Sequence, residues 1–111
     1  MGKMQRRKGS TFELKVAGLL RSIYPQARRG IGQARSAGEV ADVELTPWWV
    51  ECKHHKRVSV MAAWRQAAAA TDGRPVLIVH RQNRGPVLVT LELSNFMHLV
   101  AGRAIPLDRK A

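Results

Sequence analysis

The chain is predicted to fold as a mixed α/β or α+β domain, with helices on both faces of a central mixed β-sheet. Three observations predict this class. Apolar residues recur at helical spacing between Phe12 and Ile23. Residues 39–53 alternate in the manner of a hairpin that has one apolar and one polar face. Residues 76–79 form an unbroken apolar run, which is typical of a strand buried on both faces.

The first helix is predicted over residues 11–24. Ser10 and Glu13 match a capping box, in which each side chain bonds the backbone amide of the other residue. Pro25 ends the apolar periodicity, because proline cannot continue a helix. Residues 1–9 hold four basic side chains and no acid, so they are predicted to form a flexible basic arm.

The hairpin is predicted to join residues 39–45 and 48–53 through the two-residue loop 46–47, where Pro47 is a typical turn residue. With this loop, Val43 pairs with Val50. The register depends on the loop length, because a loop of three or four residues would shift the pairing and separate the side chains that it brings together.

In this register Asp42 lies directly opposite Glu51, with Cβ atoms about 4.5 to 5.5 Å apart. Two carboxylates that close repel each other unless a cation lies between them. Lys53 follows Glu51 by two positions and therefore shares its face of the strand. The pattern predicts a divalent metal beside an ammonium group. The alternative is a solvent-facing surface on which Lys53 simply pairs with Glu51.

The rest of the chain supplies the remaining elements. Residues 28–38 are rich in Gly, Arg and Ser and are predicted to form a loop or a short edge strand, since their glycines do not fit a nucleotide-binding fingerprint. Ser59 is predicted to cap a second helix over residues 60–71. Its apolar stripe consists of Val60, Met61, Trp64, Ala67 and Ala68, while Ala62, Ala63, Gln66 and Ala70 form a separate face of small residues.

After the buried strand 76–79, a second strand is predicted over residues 87–91, and Ser94 is predicted to cap a short helix over 95–101. The element order is therefore α-β-β-β-α-β-β-α. Residues 10–102 form one predicted domain, and residues 103–111 are predicted to be a basic tail.

The composition points to a polyanionic partner. The 111 residues include 19 Lys and Arg against 8 Asp and Glu, which gives a formal charge of +11. Such a charge favours nucleic acid, because each neutralised phosphate releases condensed counterions. No apolar run approaches the length of a membrane-spanning helix, so the chain is predicted to be soluble, intracellular and without a membrane partner.

Cys52 is the only cysteine, which excludes an intramolecular disulfide, and strand alternation predicts a buried, inert thiol. His54 and His55 are adjacent, and this spacing is poor for a zinc site, so they are interpreted as contacts to phosphate. Trp48 is predicted to lie in the core. Trp49 shares the acidic face and is the predicted stacking platform for a base.

Residues 10–100 of the chain resemble the PD-(D/E)XK nuclease superfamily. That family has a restriction-endonuclease-like core, and its catalytic positions match Glu13, Asp42, Glu51 and Lys53, with Gln66 as an assisting glutamine. The size of the chain, the helix with Glu13 and the segment Arg28-Arg29 resemble archaeal-type Holliday-junction resolvases and small resolvase-like endonucleases of phages and prophages, and residues 41–54 are most similar to the latter group. Two positions depart from the pattern: Ala41 replaces a proline, and Ser36 lies in a loop of different length.

The resemblance implies a structure-selective DNA endonuclease that acts as a homodimer on four-way junctions, in the cytoplasm of a host cell. It implies Mg²⁺ as the cofactor, with Mn²⁺ as a substitute, bound by Asp42, Glu51 and the backbone carbonyl of Cys52. Glu13 is either a further support of the metal centre or only the acid of the capping box.

The remaining candidate residues are proposed contacts to DNA, and their importance lies in the set rather than in any one side chain. The set comprises Lys3, Arg6, Arg7, Lys8, Arg28, Arg29, Arg35, Ser36, Trp49, His54, His55, Lys56 and Arg57. Three alternatives stay open: a non-catalytic basic DNA-binding or architectural protein, a nuclease with a different DNA preference, and an RNA nuclease.

Overall fold

The order of the elements along the chain agrees with the prediction. The computed structural model describes residues 2–31 and 40–107, with side chains from residue 9 onwards. Within these residues the chain forms three helices and five strands. They are α1 (Gly2–Leu20), β1 (Arg28–Arg29), β2 (Val43–Glu44), β3 (Trp49–His55), α2 (Val60–Ala70), β4 (Val76–Gln82), β5 (Leu88–Thr90) and α3 (Leu93–Val100).

Helix α1 begins earlier than the sequence indicated. Its first residue is Gly2, so residues 2–9 are helical instead of forming a separate arm. Ser10 and Glu13 lie inside the helix, and the predicted capping box is wrong. The physical reason is composition, because Lys, Met, Gln and Arg before Ser10 are good helix formers and no proline interrupts them.

The five strands form one mixed sheet in the order β1-β2-β3-β4-β5. Strands β3 and β4 are parallel and pair over their full length, from Trp49 with Val76 to His55 with Gln82. The other neighbouring strands are antiparallel. Helix α2 supplies the crossover that a parallel pair requires. This long pairing explains why β3 and β4 extend beyond their predicted ends.

The two helices α1 and α2 cover opposite faces of the sheet. Phe12 and Val16 of α1 pack in one cluster with Val50 and Cys52 of β3. On the other face, α2 packs through its small residues, because Ala63 and Ala67 are buried against the sheet. Of the predicted apolar stripe, Ala67 is buried and Trp64 packs against the same cluster, whereas Met61 is exposed. Small side chains let the helix approach the strands closely, and the larger residues remain at its flank.

The last helix differs from the prediction in one detail. Helix α3 begins at Leu93, and its N-cap is Glu92, so Ser94 lies within the helix and does not cap it. The segment that follows is not a separate tail throughout, since Ile105 packs against the core cluster of α1. No helix in the described parts of the chain is long and apolar enough to cross a membrane.

Arg74 ties the turn between β2 and β3 to the loop after α2. Its guanidinium donates to Asp72, to Glu44 and to the backbone carbonyls of Thr46 and Trp48, at 3.0 to 3.3 Å. It also lies 5.3 Å from the ring centroid of Trp49. One half-buried cation therefore satisfies acceptors from three segments of the chain.

Replacement of Arg74 by Met is expected to lower the free energy of unfolding by about 2 to 3 kcal/mol, because it leaves several part-buried acceptors without their charged donor. Urea denaturation would measure this loss. The matched control is Arg65→Met on the exposed side of α2, for which a change within about 0.5 kcal/mol is expected. Equal effects of the two substitutions would contradict the role of Arg74.

Candidate active site

The pairing of β2 with β3 brings two acidic positions together. Val43 pairs with Val50, as in the predicted register, but β2 spans only Val43–Glu44 and β3 begins at Trp49, so the connection is longer than the two predicted residues and Asp42 lies just before β2. The Asp42 amide donates to the Val50 carbonyl at 2.9 Å. Backbone hydrogen bonding therefore fixes the position from which the Asp42 side chain extends.

The backbone of Cys52 also belongs to this site. Its amide donates to Oδ2 of Asp42 at 2.8 Å. Because the amide and the carbonyl of one strand residue point towards the same neighbouring strand, the Cys52 carbonyl faces the side of Asp42. The thiol lies in the core instead, and burial raises its pKa well above the usual range. The carbonyl, and not the sulfur, is thus available to the site.

Burial raises the pKa of Asp42 to about 7, and the nearby carboxylate of Glu51 adds to this increase. Glu13 acts in the same direction, whereas the Cys52 amide and Lys53 oppose it. The increase in pKa shows that the ionised form of Asp42 is unfavourable here, first because the carboxyl is buried and second because Glu51 is close. A bound cation would remove that penalty, so the acid pair has the electrostatic character of a cation site.

Lys53 lies beside the acid pair, as side-chain alternation predicted. Its Nζ is 3.4 Å from Oε2 of Glu51 and donates to Oε1 of Gln66 at 3.2 Å. Glu51 is buried, and Gln66 lies on the exposed flank of α2 that borders β3. The crossover helix and the central strand together hold the ammonium group at the edge of the acidic pair.

Glu13 lies at the border of the same cluster, and its partner is Arg29. Arg29 donates through Nε to Oε1 of Glu13 at 2.8 Å and through Nη2 to the Ser10 hydroxyl at 3.0 Å. Glu13 therefore accepts from β1 rather than from a helix cap. Arg29, a predicted phosphate contact, instead serves as the ion-pair partner of an acid near Asp42.

The predicted DNA contacts fall into three groups. Arg28, His55, Lys56 and Arg57 are exposed, whereas His54 is half-buried and its Nε2 lies 2.8 Å from the Asn83 carbonyl oxygen. Lys3, Arg6, Arg7 and Lys8 belong to the first turns of α1, where the structure describes the backbone only. Arg35 and Ser36 lie outside the described residues.

The direction of α1 brings two of these groups to the same end of the sheet. The ring of Phe12 lies 5.0 Å from that of His54 at the end of β3, and Trp48 at its start donates to the Tyr24 hydroxyl. Helix α1 therefore runs antiparallel to β3. The first turns of α1 extend past His54. Residues 3–8 therefore lie beyond the C-terminal end of β3, and residues 55–57 lie at the same end.

Trp49 is not a stacking platform, and that prediction is wrong. Its side chain is only 3% exposed and packs with Ala63 and Ile78 beneath α2. Trp49, Glu51 and Lys53 extend from the same face of β3. Helix α2 covers the part of this face that carries Trp49. Along β3 the side chains become more exposed towards its end, from the buried Glu51 to the half-buried Lys53 and the exposed His55.

The pairing of Arg29 with Glu13 could not be found from spacing, because 16 residues separate the two. Gly30 is the one sequence feature that could have indicated a close contact here. A Cβ at this position would overlap the backbone carbonyl oxygen of Ala41. The Gly30 amide also donates to the Asp42 carbonyl at 2.8 Å. Glycine therefore permits the close approach of two segments that brings Arg29 near the acidic cluster.

The ligand set suits a hard cation that keeps several waters. In the described parts of the chain, no three His, Cys, Asp or Glu side chains are grouped so that they could hold a metal ion. Asp42, Glu51 and the Cys52 carbonyl offer oxygen only, which fits Mg²⁺ and not zinc. Comparisons of the chain with protein-family models, with curated proteins and with solved structures gave no match.

Proposed function

We propose that the chain is a metal-dependent, structure-selective DNA endonuclease of the PD-(D/E)XK type, with a restriction-endonuclease-like core and with four-way junctions as substrate. One arrangement carries the proposal: the Asp42 carboxylate accepts from the Cys52 amide, next to Glu51, and Lys53 lies beside Glu51. A protein that only binds DNA gains nothing from two part-buried acids on a surface that meets a polyanion. The same acids are useful if they hold a cation against a phosphate.

Asp42, Glu51 and the Cys52 carbonyl are the residues that would hold Mg²⁺ or Mn²⁺. When bound, such an ion lowers the pKa of a coordinated water and stabilises the charge that develops on the phosphate. The protein supplies the geometry. The Cys52 amide fixes one oxygen of Asp42, and Glu51 directly precedes Cys52 on β3.

Lys53 orients the attacking water in this proposal. An ammonium group has three donors, and here two of them are directed at Glu51 and Gln66. The third can donate to a water or to a phosphate oxygen. Gln66 acts as a positioning residue, because it accepts a hydrogen bond from Lys53. Glu13, held by Arg29, contributes negative charge at the border of the site.

The basic residues at the end of β3 and in the first turns of α1 would bind the phosphate backbone. Contacts of this kind depend on charge and carry no sequence information. The affinity is therefore expected to fall steeply with salt and to vary little with DNA sequence. The resemblance further implies two copies of the chain, because a four-way junction is resolved by symmetric cuts in paired strands.

The direct test incubates the protein with a labelled four-way junction or a matching linear duplex, in Mg²⁺ or with chelator. We expect cutting of the junction only, and only with Mg²⁺. Glu51→Gln is expected to reduce the rate at least about 100-fold, because it removes a charge aimed at the cation. Glu92→Gln makes the same change at an exposed site outside the cluster and is the matched control.

The other outcomes separate the alternatives. Cutting of both DNA substrates would retain the nuclease and remove its selectivity for junctions. Tight binding without cleavage would favour the architectural DNA-binding protein. Cleavage of a matched RNA in preference to DNA would change the substrate class.

A further inference from the structure

The turn between β4 and β5 lies at the same end of the sheet as the candidate active site. Strands β3 and β4 are parallel, and Lys53 pairs with His80, so the turn that follows Gln82 lies beyond Lys53. At about 3.3 Å per residue, Asn83 lies about 10 Å further along the strands than Lys53 does. This distance is smaller than the width of a major groove, about 12 Å, so one DNA duplex can contact both places.

Exposed cations surround this turn. Residues 52–91 contain a single acid, Asp72, and it lies before the start of β4, at the opposite end of the sheet. Lys56 and Arg57 follow β3, and Arg84 lies in the turn itself. All three are exposed, and the salt bridges among the described residues involve none of them. Their charges therefore attract a polyanion to this end of the sheet.

Contacts with the end of β3 hold the turn in place. The Asn83 amide donates to the His55 carbonyl at 3.0 Å, and the Asn83 carbonyl oxygen lies 2.8 Å from Nε2 of His54. Within the turn, Nε of Arg81 donates to the Gly85 carbonyl at 2.7 Å. Asn83 has a φ of 53°, a left-handed conformation that asparagine adopts more readily than most residues. A turn that is fixed in this way loses little conformational entropy when it binds a partner.

The two arginines of the turn differ in their surroundings. Arg81 is half-buried, and its guanidinium donates to the backbone carbonyls of Gly85 and Arg84. Arg84 contributes only its carbonyl to this contact, and its side chain is exposed. Arg81 thus braces the turn, whereas the guanidinium of Arg84 is available to a partner.

We propose that the β4–β5 turn is a DNA-contact element, in which Arg84 binds a backbone phosphate of the duplex that the proposed active site cuts. The inference rests on the proposed function, because it takes DNA as the partner, and it adds a contact outside α1 and β3. Phosphate contacts fix the register and the orientation of a protein on a duplex. The turn would therefore position the duplex against the acid pair without reading its sequence.

The test measures binding of the full chain to a labelled four-way junction by fluorescence anisotropy, with chelator present to prevent cutting, at several NaCl concentrations. Arg84→Gln is expected to weaken binding about 3- to 10-fold at about 0.1 M NaCl. It should also lower the slope of log affinity against log salt concentration by about 0.9, because one phosphate contact is lost. Arg84→Lys retains the charge and is expected to retain the slope. The substitutions keep the carbonyl that accepts from Arg81, and circular dichroism would verify that the variants fold.

Arg103→Gln is the matched control, because it makes the same change in net charge at another place. Arg103 is exposed and lies near Trp48, just before the start of β3, and therefore at the opposite end of the sheet from the turn. This variant is expected to bind with the wild-type salt slope. Unchanged binding of Arg84→Gln, or equal losses in Arg84→Gln and Arg103→Gln, would overturn the proposal.

The outcomes also separate this inference from the proposed function. If the wild-type protein binds the junction but never cuts it in Mg²⁺, the nuclease is refuted, and weaker binding by Arg84→Gln still supports the role of the turn. If the wild-type protein cuts and Arg84→Gln binds as tightly as it does, the role of the turn alone is refuted. A wild-type protein without affinity for DNA would overturn both.

Discussion

Replacement of Asp42 by Asn is expected to stabilise the metal-free protein above pH 7 while it abolishes cleavage. Burial and the neighbouring Glu51 raise the pKa of Asp42 from 3.8 to about 7. At about 1.4 kcal/mol per unit of pKa, the ionised carboxylate costs the folded state up to about 4 kcal/mol. Asparagine removes the charge and can still accept the hydrogen bond from the Cys52 amide. We expect a gain of about 2 to 4 kcal/mol.

The sign of the pH dependence follows from the direction of this pKa change. The folded protein binds the Asp42 proton more tightly than the unfolded chain does, so this group lowers stability as the pH rises from about 4 to about 7. Urea denaturation at pH 4 and pH 8, without divalent ions, would measure the effect. The difference between variant and wild type should be small at pH 4 and largest at pH 8.

Two controls belong to this experiment. Glu92→Gln removes an exposed acid and should follow the wild-type protein across the pH range. Addition of Mg²⁺ at pH 8 should stabilise the wild-type protein and not Asp42→Asn, because a ligand that binds only the folded state raises its stability. Parallel stability curves of wild type and Asp42→Asn between pH 4 and pH 8 would contradict the prediction.

Replacement of Gly30 by Ala is expected to destabilise the protein by about 3 kcal/mol and to impair the site at a distance. The new Cβ would overlap the backbone carbonyl oxygen of Ala41, which cannot rotate away as a side chain can. Separation of the two segments would also break the hydrogen bond from the Gly30 amide to the Asp42 carbonyl. Arg29 would move with its neighbour, and its ion pair with Glu13 would weaken.

Gly9 provides a control of opposite sign. It lies within α1, and a Cβ there would meet no atom within 4 Å. Gly9→Ala is therefore expected to stabilise the protein by about 0.5 to 1 kcal/mol through its higher helix propensity. Thermal and urea unfolding of both variants, together with cleavage rates, would test the pair. A Gly30→Ala variant as stable as Gly9→Ala would show that the segments at Gly30 and Ala41 can separate without loss of folding stability.

Several features of the fold were predictable because their causes are local. Ser59 caps α2, and its hydroxyl accepts from the Ala62 amide as an N-cap residue should. The pairing of Val43 with Val50 also agrees with the predicted register, although β2 ends at Glu44 and β3 begins at Trp49, so the turn is longer than two residues. Each of these features depends on residues that are neighbours along the chain.

Other features depend on elements that are distant in sequence, and there the predictions were wrong. Side-chain alternation places Trp49 and Glu51 on one face, but it contains no information about which part of that face α2 covers. Similarly, the predicted apolar stripe of α2 included the exposed Met61 as well as the buried Ala67, and it left out the buried Ala63. The close approach to the parallel strands selected Ala63 and Ala67, because only small side chains fit between a helix and a sheet at that distance.

The sequence alone determined that Glu51 and Lys53 share one face of β3, because side chains alternate along a strand with a period of two. The tertiary structure decided their chemistry. The pKa of Asp42 depends on burial by the surrounding elements, and the position of Glu13 depends on Arg29, which reaches it only because Gly30 lets two segments touch. Desolvation and long-range contacts exist only in the folded chain, so no spacing rule along the sequence contains them.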